Sequence, residues 1–163
     1  MIDTEAVADP TVPATKPAPV HPALAHVSIG AYVTAGVCDS IGFFGIAGDD
    51  DKYLYKAATY ALMIATSALF VSILTGLRDR VVHTRAGGKG RQVANIHGLI
   101  MGGVGAFAVV DITIRRLPAN SNDAHASLGL YALTLAVLAL VVVGGRLGGK
   151  LVYQLGAGTP ARR

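Results

Sequence analysis

Two histidines and two aspartates stand inside apolar stretches of this chain, and their spacing repeats. His26 precedes Asp39 by 13 residues and His97 precedes Asp111 by 14. At the rise of a helix these gaps measure about 20 and 21 Å, so the histidines would share one level and the acids another. A neutral imidazole nitrogen can ligate a metal, and the ring can also carry a proton near neutral pH. A carboxylate inside an apolar stretch is costly unless it is paired or protonated, and it marks a candidate site. Two histidines on diagonal helices of a bundle would suit a haem iron, which takes an axial nitrogen about 2 Å away on each face of its ring. His21 supplies an alternative nitrogen close by. The same residues also allow another metal, or a structural or proton-linked hydrogen-bonding role.

These groups need helices to hold them, and the composition supplies helices of one kind. Of 163 residues, 52% are hydrophobic and only 15% charged, against about a quarter charged in an average soluble domain. Residues 1–20 carry four prolines and three acids without apolar periodicity, and read as a flexible, disordered tail. Four apolar runs follow, at about Leu24–Ala47, Ala57–Leu77, Val93–Ile114 and Ala126–Gly145. Each is long enough to cross a hydrocarbon layer of about 30 Å. The expected architecture is therefore all-α: a four-helix up-down membrane bundle over residues 21–158, with a basic tail at 159–163. Tyr53, Tyr55 and Tyr60 fit an interfacial aromatic belt. Small-residue pairs at Gly98/Gly102, Gly144/Gly148 and Gly145/Gly149 suit close helix packing.

Within such a bundle, two stripes face inward. One runs through Ser28, Tyr32, Ala35 and Asp39, the other through His97, Met101, Val104, Ala108 and Asp111. Thr75 and Asp79 form a third, shorter stripe. Asp111 can pair with Arg115 four residues on. Asp39 has no such local partner, which leaves His125, Asp111 across the bundle, or its own protonation.

The N-tail, the basic stretch 78–92 and the C-tail hold ten lysines and arginines, and the other two loops hold four. The positive-inside bias then places both termini in the cytoplasm of a multi-pass inner-membrane protein. The net charge of +4 belongs to this topology, not to a nucleic-acid partner. The expected partners are the lipid bilayer and a larger redox membrane complex or a second copy. Gly87-Gly88-Lys89-Gly90 lacks the spacing of a phosphate-binding loop and reads as a turn. One cysteine, Cys38, excludes an internal disulfide, and the absence of Cys-x-x-Cys-His excludes covalent haem. No nucleophile elbow, HExxH motif or dinucleotide fingerprint is present, which argues against a soluble enzyme and favours a subunit that is not an enzyme by itself.

Several segments, HPALAHVSIGAYVTAGVCD, TGLRD, ANIHG, HASLGLYAL and GGKLVYQLGAG, resemble the bacterial integral-membrane family known as domain of unknown function 2231. The resemblance spans about residues 21–158 and implies a four-span protein. It places the family's typical polar positions on His21, Asp39, Thr75-Gly76 with Asp79, His97 and His125. Some members resemble membrane modules joined to Rieske-type iron–sulfur domains, which implies a redox setting. No iron–sulfur ligand pattern occurs here, so that partner would be a separate chain. Gln154 stands where the family's usual C-terminal histidine falls, which removes any role for one. The leading expectation is thus an electron-transfer-associated membrane subunit holding b-type haem through His26, His97 or His21. A cofactor-free accessory protein and a proton- or ion-conducting bundle using Asp39, Asp111 and His125 are the alternatives.

Overall fold

Pro22 sits in the first turn of the first helix, where a missing N–H leaves no gap in the hydrogen-bond ladder. That helix, α1, spans Val20–Phe43 in the computed structural model, which describes residues 20–123 and 125–157. The expected tails, 1–20 and 159–163, fall almost wholly outside these residues. α1 stops four residues short of the expected Ala47 because Gly45 and Gly48 take left-handed backbone, with φ of 66° and 60°. The Asp51 carboxylate closes this turn by accepting from the Ala47 N–H at 3.2 Å.

α2 runs Asp51–His83, α3 Lys89–Arg116 and α4 Leu128–Gly149, with a π-helical turn at Lys150–Gln154. At 33 residues α2 is about 50 Å long, well beyond the thickness of a hydrocarbon layer of about 30 Å. The basic stretch is correspondingly less of a loop than expected. Arg78 and Arg80 ride the last turns of α2 and Lys89 and Arg91 the first turn of α3, leaving only residues 84–88 between helices. Arg91 ties this connection by donating to the Thr84 carbonyl at 2.9 Å. α4 starts at a Ser127 cap, whose hydroxyl accepts from the Leu130 N–H.

All four helices are long and apolar enough to cross a membrane, and no strand occurs among the described residues. They neighbour one another in the order α1, α2, α3, α4 around the bundle, so α1 and α3 are diagonal. The tightest pairs are the hairpins α1–α2 and α3–α4. The outer surface is apolar, with Leu74, Leu99 and Leu128 each about 70% or more exposed. The interior holds the polar groups: Ser28, Thr66, Ser72, Asp39, Asp111, Arg115 and Thr134 are all buried. A mid-bundle apolar layer of Tyr32, Ala35, Leu62, Ala65, Val104, Ala108, Val137 and Val141 separates the two ends.

With lipid outside, little hydrophobic force draws such helices together, and small residues and internal hydrogen bonds do more of the work. Ser28 donates to the Ala65 carbonyl at 2.9 Å, and the Tyr32 and Thr66 hydroxyls meet at 3.1 Å, both across α1–α2. A Cβ on Gly36 would stand 2.3 Å from Leu138, and one on Gly144 would stand 2.4 Å from the Met101 sulfur. The glycine pairs read from sequence divide accordingly. Gly144 and Gly148 face neighbours, whereas Gly98, Gly102 and Gly145 face open space.

Candidate functional site: two polar layers across the bundle diagonal

Consider first the end of the bundle that carries the start of α1, the α2–α3 connection and the end of α4, here called the terminal side. His21 on α1 places its Nδ1 2.8 Å from the Ser72 carbonyl of α2 and 3.0 Å from the Ser72 hydroxyl. His97 on α3 places its Nδ1 2.9 Å from the Gly144 carbonyl of α4. A carbonyl only accepts, so both Nδ1 atoms carry the proton and both Nε2 atoms keep a lone pair. Neither Nε2 has a hydrogen-bond partner among the described residues. The two ring centres lie 6.4 Å apart, with the planes at 90°. Each ring rests on a glycine: a Cβ would come within 2.9 Å of His21 at Gly76 and within 3.4 Å of His97 at Gly148.

His26 is elsewhere. Five residues beyond His21, it is rotated by about 140° around the helix. It is exposed, and its Nδ1 donates to the Pro22 carbonyl of its own helix at 2.6 Å. The diagonal histidine pair is therefore His21 with His97, and not the anticipated His26 with His97. Thr75 donates to the Ser72 carbonyl at 3.0 Å and so shares the acceptor that fixes His21. Asp79, one turn further, is half-buried and has no ion-pair or hydrogen-bond partner among the described residues.

The opposite, or far, side holds a sealed cluster in which Asp39 of α1, Asp111 and Arg115 of α3 and Thr134 of α4 are each at most 2% exposed. The Arg115 guanidinium grips Asp39 with both terminal nitrogens, at 3.0 and 2.5 Å, and its Nε donates to Asp111 at 2.7 Å. Thr134 Oγ1 lies 2.8 Å from Asp39 Oδ2 and 2.9 Å from Asp111 Oδ2, and accepts from Arg115 at 3.1 Å. Its one proton serves one carboxylate at a time. Two ionised carboxylates against one guanidinium leave one excess negative charge, and one bound proton makes the cluster neutral. The Tyr55 ring covers the guanidinium, 5.0 Å from Cζ.

Asp111 with Arg115 is the pair that the four-residue spacing anticipates. The partner of Asp39 is not among the anticipated ones, because the same arginine spans the diagonal to reach it. His125 is exposed at the edge, donates to the Ala126 carbonyl at 3.1 Å, and takes no part in the cluster. Of the belt tyrosines, Tyr53 and Tyr60 are exposed and Tyr55 is buried. Sequence reasoning missed Thr134, Ser72, Tyr55 and the bridging role of Arg115. Thr134 had a signal: it is the only polar residue on the buried stripe Leu130, Thr134, Val137, Val141 and Gly144. Arg115 was hidden by its neighbour, since Arg115-Arg116 reads as a pair of topology-setting charges.

Residues 17–161 match the family described as predicted membrane protein DUF2231. The chain belongs to that family. The match covers every span and both polar layers of this DUF2231 protein. No curated protein and no solved structure matches it.

Proposed function

We propose that this DUF2231 protein is a membrane subunit associated with electron transfer, and that His21 and His97 hold a b-type haem between its two hairpins. The observation that carries the reading is the pair of oriented imidazoles. Each Nδ1–H is anchored to a backbone carbonyl of the adjacent helix, which leaves each Nε2 lone pair free. Metal-ligating histidines commonly have their second nitrogen fixed in this way. Two metal–nitrogen bonds of about 2 Å, plus roughly 1 Å from each nitrogen to its ring centre, set the centres about 6 Å apart. The observed 6.4 Å is compatible with that separation, and equally with an edge-to-face pair of rings.

The donor set supports haem over a bare ion. No group of three or more histidine, cysteine or acidic side chains converges among the described residues, and zinc commonly takes at least three protein ligands. A haem would need few ligands from the protein, and His21 and His97 are the residues that would hold it. Bound there, haem would supply one-electron transfer. The chain's part is to orient both imidazoles, through Ser72 and Gly144, and to keep Gly76 and Gly148 clear of the rings.

The charge distribution supports cytoplasmic termini in a bacterial inner membrane. With Arg115 buried, the far-side loops keep three basic residues against ten on the terminal side. The histidine pair would then lie toward the cytoplasm. The far-side cluster suits a structural role, because its members satisfy one another and an apolar layer separates it from the histidines.

The protein expressed with adequate haem supply and purified in mild detergent should carry one extractable b-type haem per chain, read by its pyridine haemochrome. A colourless preparation that also fails to take up added haemin would overturn the proposal.

A further inference from the structure

A pocket of about 450 Å³ opens on the far side, between the first turns of α2, the end of α3 and the α3–α4 connection. Its volume falls in the range of small-ligand sites. Lys56 and Arg116 line it, both exposed and neither with an ion-pair partner among the described residues. No carboxylate lines it among the described residues; Asp123, next to the lining residue Asn122, lies outside the wall but within electrostatic reach of Tyr55. The Tyr60 hydroxyl and Asn122 amide add uncharged donors, whereas the Ser121 hydroxyl donates to the Pro118 carbonyl. Arg115 forms part of the wall, but its side-chain nitrogens bond to Asp39, Asp111 and Thr134, so the positive field comes from Lys56 and Arg116.

A second observation points to an acceptor. Tyr55 also lines the pocket, is 2% exposed, and its buried hydroxyl has no hydrogen-bond partner among the described residues. A buried donor without an acceptor is rare in folded chains. Two unpaired cations and several donors, with no acceptor charge among them, form a site for an oxyanion. The pocket also stands near the far-side end of α2, one of the four helices long and apolar enough to cross a membrane.

We propose that this pocket binds a phosphate-bearing anion, with Lys56 and Arg116 as its charged contacts and Tyr55, Tyr60 and Asn122 as neutral donors. The phosphate could belong to a phospholipid headgroup or be free in solution, and the assignment is independent of what the histidines hold. Thermal unfolding of the detergent-purified protein, followed during titration with inorganic phosphate or with short-chain phosphatidylglycerol at matched ionic strength, tests it. A saturable rise in midpoint with phosphate identifies a free anion, and a rise with the lipid alone identifies a headgroup. In the double variant Lys56→Gln/Arg116→Gln the half-saturating concentration should increase by at least about tenfold, while Lys52→Gln keeps the wild-type response. Both residues are exposed, so the double variant should fold. The proposal fails if neither ligand moves the wild-type midpoint more than chloride does, or if the double variant responds like wild type.

Discussion

Arg115 is the residue on which the far side depends. It compensates two carboxylates that are otherwise buried among apolar helices, and Thr134 links the same two oxygens by a neutral bond. Removing one partner of a buried ion pair typically costs about 3–5 kcal/mol, because the other charge stays behind uncompensated. Arg115→Leu should lose stability on that scale. Thr134→Val, which removes only a neutral bridge, should lose about 1–2 kcal/mol. Reversible unfolding in mixed micelles measures both, and equal losses would contradict this division of roles. At this scale the sequence was legible for the acids but not for the histidines, since His21 precedes Asp39 by 18 residues where His97 precedes Asp111 by 14. The 13- and 14-residue gaps placed both acids at one level, as the cluster shows. Which histidine faced inward depended on rotation about the axis, where each residue turns the side chain by about 100°. A five-residue difference between His21 and His26 therefore decided the pairing, and the apolar surroundings gave no contrast to reveal it.

At the scale of the helices, two glycines set how closely neighbours approach. Gly36 meets Leu138 of α4, and Gly144 meets Met101 of α3. Gly36→Val and Gly144→Val should each cost about 1–3 kcal/mol by overpacking. Gly98→Val and Gly102→Val, facing open space, should stay within about 0.5 kcal/mol of wild type. The same unfolding assay separates the two sets, and equal costs would refute the packing assigned to α3 and α4. The four spans could be read from hydropathy because their lipid face is continuous. Their ends could not, since α2 continues through charged turns that hydropathy assigns to a loop. The glycine spacing was visible too, but the same four-residue interval occurs on a face that packs and on one that does not.

For the molecule as a whole, the inverted distribution, apolar outside and polar within, fixes a membrane protein with two polar layers separated by an apolar one. Its orientation can be checked with single cysteines in a Cys38→Ala background. A cysteine at Gly87 should react with a membrane-impermeant maleimide only after the inner face is opened, and one at Asn122 should react in intact cells. The reverse pattern would invert the bundle and put the histidine pair on the outer side. The most direct test of the central claim is the reduced-minus-oxidised absorption spectrum of four purified proteins: wild type, His21→Ala, His97→Ala and His26→Ala. Wild type and His26→Ala should show the same b-type bands. His21→Ala and His97→Ala should lose them while remaining folded and monodisperse, with added imidazole restoring them in part. Bands that survive loss of His21 or His97, or that vanish with His26, would contradict the account.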